Sequence, residues 1–406
     1  MREALLHLMV LTLFVEGVGV GPVTSGRVVL VLAVLAVVFT VAADRTTPVV
    51  PHPWVGFPAA LLFLLVLVSG TWAGSRAAWL ENVLELALAL GFFVAYSVLL
   101  ASRAVLRRLL TSFVVGAVLV APVGLVQALQ AERAVGLQGD PNTYALYQLA
   151  AVPIVVFLVV RSRGLARFTW TLVGVLLVAS VLAAQSRGAG VGLMAVTLWL
   201  LWDGAGARMT PARRIAQVAA GGAVLTAGAL AVISWLPRFD PVGTLEGGGT
   251  GRLDIWRSAL RGWREQPFLG LGAGNYEAES GRLLSQTPGV QLDPYSVLFD
   301  GIKVHNVHLE PLVELGPAGL LAWLALLAGT ALVLVRDRRR HPTDLIGATL
   351  PMLLAFVTAA TFLSATNNKL LWTLVGFAAV LPYVAEKPEQ PSPDPARDLE
   401  PAGGLQ

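Results

Sequence analysis

Trp235-Leu236-Pro237-Arg238 opens, and Val304-His305-Asn306-Val307-His308-Leu309-Glu310 closes, the one long polar interval of an otherwise apolar chain. Between them run Gly247-Gly248-Gly249-Thr250-Gly251, then Arg252-Leu253-Asp254-Ile255-Trp256, then Pro267-Phe268-Leu269-Gly270-Leu271-Gly272. Outward from this interval, apolar runs alternate with short polar connections. A span crossing a bilayer needs about 20 apolar residues. Candidate spans fall at about 3–18, 27–43, 55–72, 78–100, 105–129, 143–160, 168–185, 188–203, 214–235, 306–335, 344–364 and 369–385. The predicted fold is all-α: a polytopic membrane protein of about 12 transmembrane helices.

Composition agrees. The 406 residues are 56% hydrophobic and 13% charged, about half the charged share of a soluble domain. The net charge of +4 comes mostly from arginines at span ends, so it is not a signal for nucleic acid. With no cysteine, disulfides, thiolate catalysis and zinc–thiolate sites are excluded. The first apolar run is followed by Glu16-Gly17-Val18-Gly19, not a small-x-small cleavage site, and reads as a first span.

The expected organisation is residues 1–235 with nine spans, 236–304 as a long extracytoplasmic loop, 305–385 with three spans, and 386–406 as a proline-rich disordered tail. Alternate connections hold Arg45, then Arg103, Arg107 and Arg108, then Arg161, Arg163 and Arg167, then Arg208, Arg213 and Arg214, then Arg336, Arg338, Arg339 and Arg340. The opposite short connections hold one cation each: Arg27, Arg76, Arg133, Arg187 and Lys369. The positive-inside rule therefore places both termini in the cytoplasm and the long loop outside.

Polar residues at span ends are costly and carry the functional hypotheses. Arg187, in Gln185-Ser186-Arg187-Gly188, reads either as a cation binding an anionic group or as an interfacial arginine reaching to head groups. Arg252 follows a glycine-rich turn and starts a helix, where backbone N–H groups and a guanidinium make an anion site; a plain surface arginine fits equally. The glycine cluster lacks the Gly-Lys-Ser/Thr of a nucleotide loop, so neither a nucleotide nor any other cofactor is expected. His305, beside Asn306, is placed to accept a hydroxyl proton at neutral pH, or to cap a helix. His308 lies three residues on, and no third ligand completes a metal site.

Asp140-Pro141-Asn142 is a helix start or a wall of the same cavity. Glu81 and Glu85, one turn apart, are a structural pair or an acceptor wall. Over Arg252–Glu265, Leu253, Trp256, Leu260 and Trp263 recur on one apolar face. That helix suits a membrane surface or an ordinary packed lid. All these groups map to the outer side under the arginine pattern.

In their order and spacing, Gly139-Asp140-Pro141-Asn142, Ser186-Arg187-Gly188, Gly251-Arg252-x-x-x-Trp256, Pro267-Phe268-Leu269-Gly270-Leu271-Gly272, His305-Asn306-x-x-Leu309-Glu310 and Glu314-Leu315-Gly316 resemble the O-antigen ligase and polymerase superfamily of bacterial membrane glycosyltransferases. The resemblance spans roughly 80–380. It implies a C-type glycosyltransferase (GT-C) fold in the cytoplasmic membrane, and a donor glycan on polyprenyl (undecaprenyl) pyrophosphate. Arg187 and Arg252 would hold the pyrophosphate and His305 would activate the acceptor hydroxyl, without metal and with inversion. In the family the position of His308 is often aromatic or aliphatic. His305, adjacent to the asparagine, takes the role of base. Asp140, Asn142, Asn306, His308 and Glu81 would line the substrate cavity.

The acceptor is open among lipid A-core (ligase), a lipid-linked repeat (polymerase) and a protein hydroxyl (O-oligosaccharyltransferase). A flippase for the same lipid-linked glycan is the rival of another class. It would place charges at mid-membrane and often shows inverted repeats, whereas the candidates here cluster at one face.

Overall fold

Polar side chains start the helices. Ser75, Ser102, Asp140 and Asn368 each accept a hydrogen bond from a backbone N–H in the first turn that follows, satisfying a donor that the helix itself leaves orphaned. The computed structural model describes residues 2–20, 23–44, 51–130, 133–204, 210, 251–290 and 301–384. Within them run α1 Arg2–Thr12, α2 Ser25–Asp44, α3 Pro53–Ser69, α4 Arg76–Leu99, α5 Arg103–Leu129, α6 Pro141–Arg161, α7 Gly164–Ala183 and α8 Arg187–Gly204. After these come α9 Arg252–Glu265, α10 Asn275–Ser285, α11 Leu309–Arg340, a 3₁₀ turn Leu345–Ala348, α12 Thr349–Ala360 and α13 Lys369–Val380. A two-residue hairpin, Gly19–Val20 antiparallel to Val23–Thr24, is the exception to helix among the described residues.

Helices occupy the expected spans, with two differences. The first ends at Thr12 instead of near residue 18. The one expected at 214–235 lies outside the described residues, as do the glycines at 247–249 and the tail 386–406. Five helices, α4, α5, α6, α7 and α11, are long and apolar enough to cross a membrane; other apolar helices, such as α3 and α13, are shorter. This makes the chain a multi-pass α-helical membrane protein, and does not extend to the count of about twelve. Large apolar side chains such as Leu35 and Phe39 on α2, Leu119 on α5, and Phe168 and Val175 on α7 are exposed. A surface of that kind is stable against lipid and costly against water.

Helix α6 is the buried centre, packed on α7 and α12, while α12 packs on α8, α13 on α4, and α11 on α3. Near it Phe14, Phe113 and Tyr147 form a ring cluster, with Phe14 at 4.8 and 5.7 Å from the other two centroids.

The polar connections separate into two ends. At one, Arg103 bonds both Asp337 (2.5 Å) and Asp344 (2.8 Å), and Arg107 bonds Asp344 (2.8 Å). Arg338 pairs with Asp203, donates to the Gly347 carbonyl (3.1 Å), and lies over the Phe157 and Trp199 rings. At the other end, Gly17 N–H donates to Leu137 O (2.9 Å), Ser75 N–H to Asn275 Oδ1 (2.6 Å), and Lys369 pairs with Glu16. Each set comprises connections that alternate crossing should bring together.

Helices α9 and α10 cover this second end, packed on each other and on the start of α11. The most buried face of α9 is not the one that carries its large apolar side chains. Ile255, Ser258, Ala259 and Gly262 point inward with Asp254, and Ile255 and Ala259 join Leu271, Tyr276, Leu283, Val304 and Val313 in a small core. Leu253 is exposed and Leu260 half-buried, while Trp256 and Trp263 pack half-buried against the edge of that core. Small residues won because they let α10 approach closely: a Cβ on Gly262 would meet Leu283 Cδ1 at 2.9 Å.

Two of the quoted motifs clamp together. Leu271 N–H donates to Val313 O (2.9 Å) and Gly272 N–H to Glu314 O (2.8 Å). The partner stretch breaks helical geometry at Gly316 (φ 69°, ψ −166°), splitting α11. That backbone region is open essentially to glycine alone, and a Cβ there would collide with the Phe268 carbonyl. The loop motif and the Glu-Leu-Gly motif therefore form one joint, fixing α9 and α10 over the bundle.

Candidate functional site

Two non-glycine residues among those described have left-handed backbone: Gln185 (φ 51°) and His305 (φ 50°). Such geometry costs free energy and persists only where the surroundings impose it. Each lies in a motif singled out above. The Gln185 turn is held by Arg133, whose Nε donates to Ala184 O (3.2 Å) and whose Nη2 donates to Gln185 O (3.4 Å). Ser186 Oγ donates to Asn142 Oδ1 (2.9 Å), which also takes a long bond from Arg133 (3.5 Å). The turn thus delivers Arg187 at the first position of α8, beside the start of α6.

His305 is held from the opposite side. Its N–H donates to Ser364 Oγ (2.9 Å), and Val307 N–H donates to Ala360 O (3.2 Å). Asn306 Oδ1 accepts from the N–H groups of His308 and Leu309, each at 3.0 Å, and so starts α11. His308 is packed inward: Trp323 Nε1 donates to its Nδ1 (3.3 Å), and the Val357 carbonyl lies beside the ring.

Phe362 joins the two halves. A Cβ on Gly188 would meet Ala359 O at 2.7 Å and Phe362 Cβ at 3.2 Å, so α8 begins pressed against the end of α12. The guanidinium of Arg252 lies over the Phe362 ring at 5.6 Å, and Trp256 lies 6.2 Å from it. The α12–α13 connector, residues 361–368, therefore carries one side chain that seats Arg252 and another, Ser364, that pins His305.

Electrostatics report the same convergence. Burial, then the positive charges of Arg187 and Arg133, holds the Arg252 guanidinium below its usual range, while Asp140 opposes them; it is still charged at any working pH. Burial is the main cause that lowers His305 from the ordinary histidine value, followed by Arg252 and, more weakly, Lys303; Asp140 pulls the other way. Arg133, Arg187, Arg252 and His305 thus share one region, with Asp140 as an acidic neighbour. The N-termini of α6, α8 and α9 point into it with their partial positive charge. Such a region favours an anion and leaves an imidazole neutral.

A pH dependence follows. With the pKa of His305 held down, the base form persists below pH ~6.5. In kcat/KM, which reports the free enzyme, the acid limb lies below that value. Lys303→Met removes a positive neighbour, lets the pKa rise, and moves the acid limb to higher pH. An unmoved limb in a pH profile of kcat/KM counts against His305 as the titrating group.

Of the residues expected from sequence, Asp140, Asn142, Arg187, Arg252 and His305 are brought together. Asn142 and Asn306 already serve as braces of the backbone, and His308 is a packing residue between α11 and α12. Glu81 is exposed on α4, where it influences Glu277 on α10. Sequence reasoning passed over Arg133 as a site residue, and over Phe362 and Ser364. It also named Glu310 and Glu314 only as motif letters. They are both buried on the first turns of α11, one turn apart like Glu81 and Glu85, and the same rule for costly charges in a span would have found them. Among the described residues no group of three or more His, Asp or Glu side chains is arranged to hold a metal.

Residues 172–324 match the model of the family described as O-antigen ligase. The match bears out the resemblance read from the motifs. It contains Arg187, Arg252 and His305, whereas Asp140 and the 361–368 connector lie outside it. No curated protein matches the chain. The match and the apolar helices together support an O-antigen ligase-like membrane role in polysaccharide biosynthesis.

Proposed function

From the O-antigen ligase match over residues 172–324, we propose that this chain is a membrane glycosyltransferase. It moves a glycan from a polyprenyl pyrophosphate carrier to an acceptor hydroxyl outside the bacterial cytoplasmic membrane. The observation that carries the reading is the convergence of Arg187 and Arg252, delivered by two helix N-termini, on the region that holds His305.

Each group has a step. The acceptor oxygen attacks the anomeric carbon of the donor sugar, and its proton passes to the neutral imidazole of His305. The bond from that carbon to the pyrophosphate oxygen breaks. The leaving lipid pyrophosphate gains negative charge, which Arg187 and Arg252 neutralise through charge-assisted hydrogen bonds. Arg133 positions the turn that presents Arg187. Asp140 balances the positive field so that His305 is not driven too low to accept a proton. Attack opposite to the leaving group inverts the anomeric centre. No nucleotide enters, because the carrier pyrophosphate supplies the driving force.

The end of the bundle that bears these groups is the outer one, and the arginine-rich end around Arg103 and Arg338 is cytoplasmic, as the positive-inside rule requires. The placement of the charged groups at one end favours a transferase over a flippase, which needs them along a path through the bilayer.

The test is transfer by purified protein. It is given a polyprenyl-pyrophosphate oligosaccharide, EDTA and no nucleotide, with lipid A-core, a lipid-linked repeat or a hydroxyl-bearing peptide as acceptor. His305→Ala lowers the transfer rate by about 10²–10⁴, the usual contribution of a positioned base. The acceptor used identifies ligase, polymerase or protein glycosylation. Transfer that is unchanged in His305→Ala removes the imidazole from the reaction. Absence of transfer to any acceptor, together with movement of the lipid across liposomes, replaces the enzyme reading with the flippase.

A further inference from the structure

Just after α9 the chain turns at Pro267-Phe268-Leu269. Phe268 is 83% exposed and Leu269 is 52% exposed. Two large apolar side chains, adjacent in sequence and both bare, are costly against water. Backbone contacts fix the height of this tip in the bundle. The Phe268 carbonyl lies against Gly316, where a Cβ would collide with it. Leu271 and Gly272 are bonded to Val313 and Glu314, and Ala273 N–H donates to Ser69 Oγ (3.1 Å), on the last residue of α3.

Gly316 is a depth mark. From Pro317 to Val335 the sequence of α11 carries no charged residue, and Arg336 ends that run. At ~1.5 Å per residue, Pro317 to Arg336 rises about 30 Å, which matches the ~30 Å hydrocarbon layer of a bilayer. With Arg336 at one edge of that layer, Gly316 lies at the other, and the clamp holds Phe268 there. Along α11, Pro317, Ala318, Leu321, Leu324, Ala325 and Ala328 are exposed. They recur on one helix face, the face that a membrane helix turns to lipid. That stripe begins at the residue after Gly316, so Phe268 stands at its head, more exposed than Leu321 at 66%. Trp263, whose Nε1 donates to Pro267 O (3.0 Å), braces the turn with the residue type that favours a water–hydrocarbon boundary.

We infer that Phe268 and Leu269 dip into the edge of the hydrocarbon layer and anchor the C-terminal end of α9 to the membrane. The occupant of this surface is lipid, because the tip continues a lipid-facing stripe at the depth where hydrocarbon begins. Part of the segment between α8 and α11 therefore belongs to the membrane boundary. The other end of α9 is seated by Arg252 on Phe362, so the anchor and that contact hold the helix across the end of the bundle. The anchor is independent of the reaction that the chain performs.

The chain has no cysteine, so one introduced cysteine carries one nitroxide label. The full chain is placed in lipid nanodiscs as Phe268→Cys or, independently, Leu269→Cys; either variant decides the matter if the other fails to fold. Leu321→Cys, on the lipid-facing stripe, and Arg340→Cys, past the basic end of α11, set the two ends of the scale. Accessibility to dissolved oxygen, which concentrates in hydrocarbon, is compared with accessibility to a water-soluble nickel chelate. The Phe268→Cys and Leu269→Cys labels give an oxygen-to-nickel ratio about fivefold or more above that of Arg340→Cys and approaching that of Leu321→Cys. A ratio equal to that of Arg340→Cys overturns the anchor, since the tip then stands in water. Low accessibility to both reagents also overturns it, since protein then covers the tip; spin–spin broadening in that case identifies the cover as a second copy of the chain.

Discussion

Arg252→Ala lowers the rate of glycan transfer by about 10²–10³ while the protein inserts and folds as before. The magnitude is that of removing one preorganised group from a developing negative charge. The reason it falls on chemistry and not on folding lies in the residue's surroundings. Arg252 lies over the Phe362 ring at the start of α9, and the charges that act on it are mainly those of Arg187 and Arg133. Clustered guanidiniums repel one another, so the cluster has no folding benefit from a third charge and gains from an anion placed between them. Removing Arg252 relieves that repulsion in the free protein.

Arg187→Ala gives a loss of similar size, and the double variant loses less than the product of the two, because both act on one pyrophosphate. Arg252→Lys does not restore the rate, since a planar two-donor fork is replaced by a point charge. Transfer rates, with thermal unfolding of each variant alongside, check this. A rate within threefold of wild type in Arg252→Ala removes that arginine from the pyrophosphate site.

Asp344→Ala acts at the opposite end and on stability. Asp344 lies in the connection between α11 and α12, buried, with Arg103 and Arg107 both on its carboxylate. Burial by itself would raise its pKa; the hydrogen bonds from Arg107 and Arg103 outweigh it and hold the carboxyl well below the usual carboxylate range. Because the folded value is depressed, the stabilisation is complete above the unfolded value of ~3.9 and is lost as pH falls below it. Removing Asp344 leaves the buried Arg103 on Asp337 alone and takes away the bonds that Arg103 and Arg107 make to it, at a cost of about 1.5–3 kcal/mol, the range for a hydrogen bond to a charged group. Thermal unfolding in detergent at pH 7 therefore shows a clear fall in Tm, which Arg107→Ala reproduces only in part because its side chain is half exposed. If Tm is unaltered in Asp344→Ala, its carboxylate does not tie α5 to the connection between α11 and α12.

The comparison between sequence and structure is clearest in these same residues. Apolar length and arginine placement were enough to locate the helices and to sort their connections into two ends, because the hydrocarbon slab imposes both locally. Asp140, Arg187, Arg252 and His305 were legible for a related reason: a charge at a span end is costly enough to demand a purpose. Which face of α9 turns inward was not legible, because its partner's distance is set by Gly262 and Ala259, not by its tryptophans. The bracing bonds of Asn306 and Asn142 were not legible, because an amide that braces backbone and one that binds sugar are the same letter.

By itself, then, the sequence determined a helical membrane protein with its candidate site residues gathered at one end. The tertiary structure alone decided which groups meet. It brought the 361–368 connector, remote in sequence from both motifs, under Arg252 and His305. It also paired the Pro267–Gly272 loop with Val313–Gly316. Such contacts depend on how whole helices pack, and the local energetics of a short stretch do not contain them.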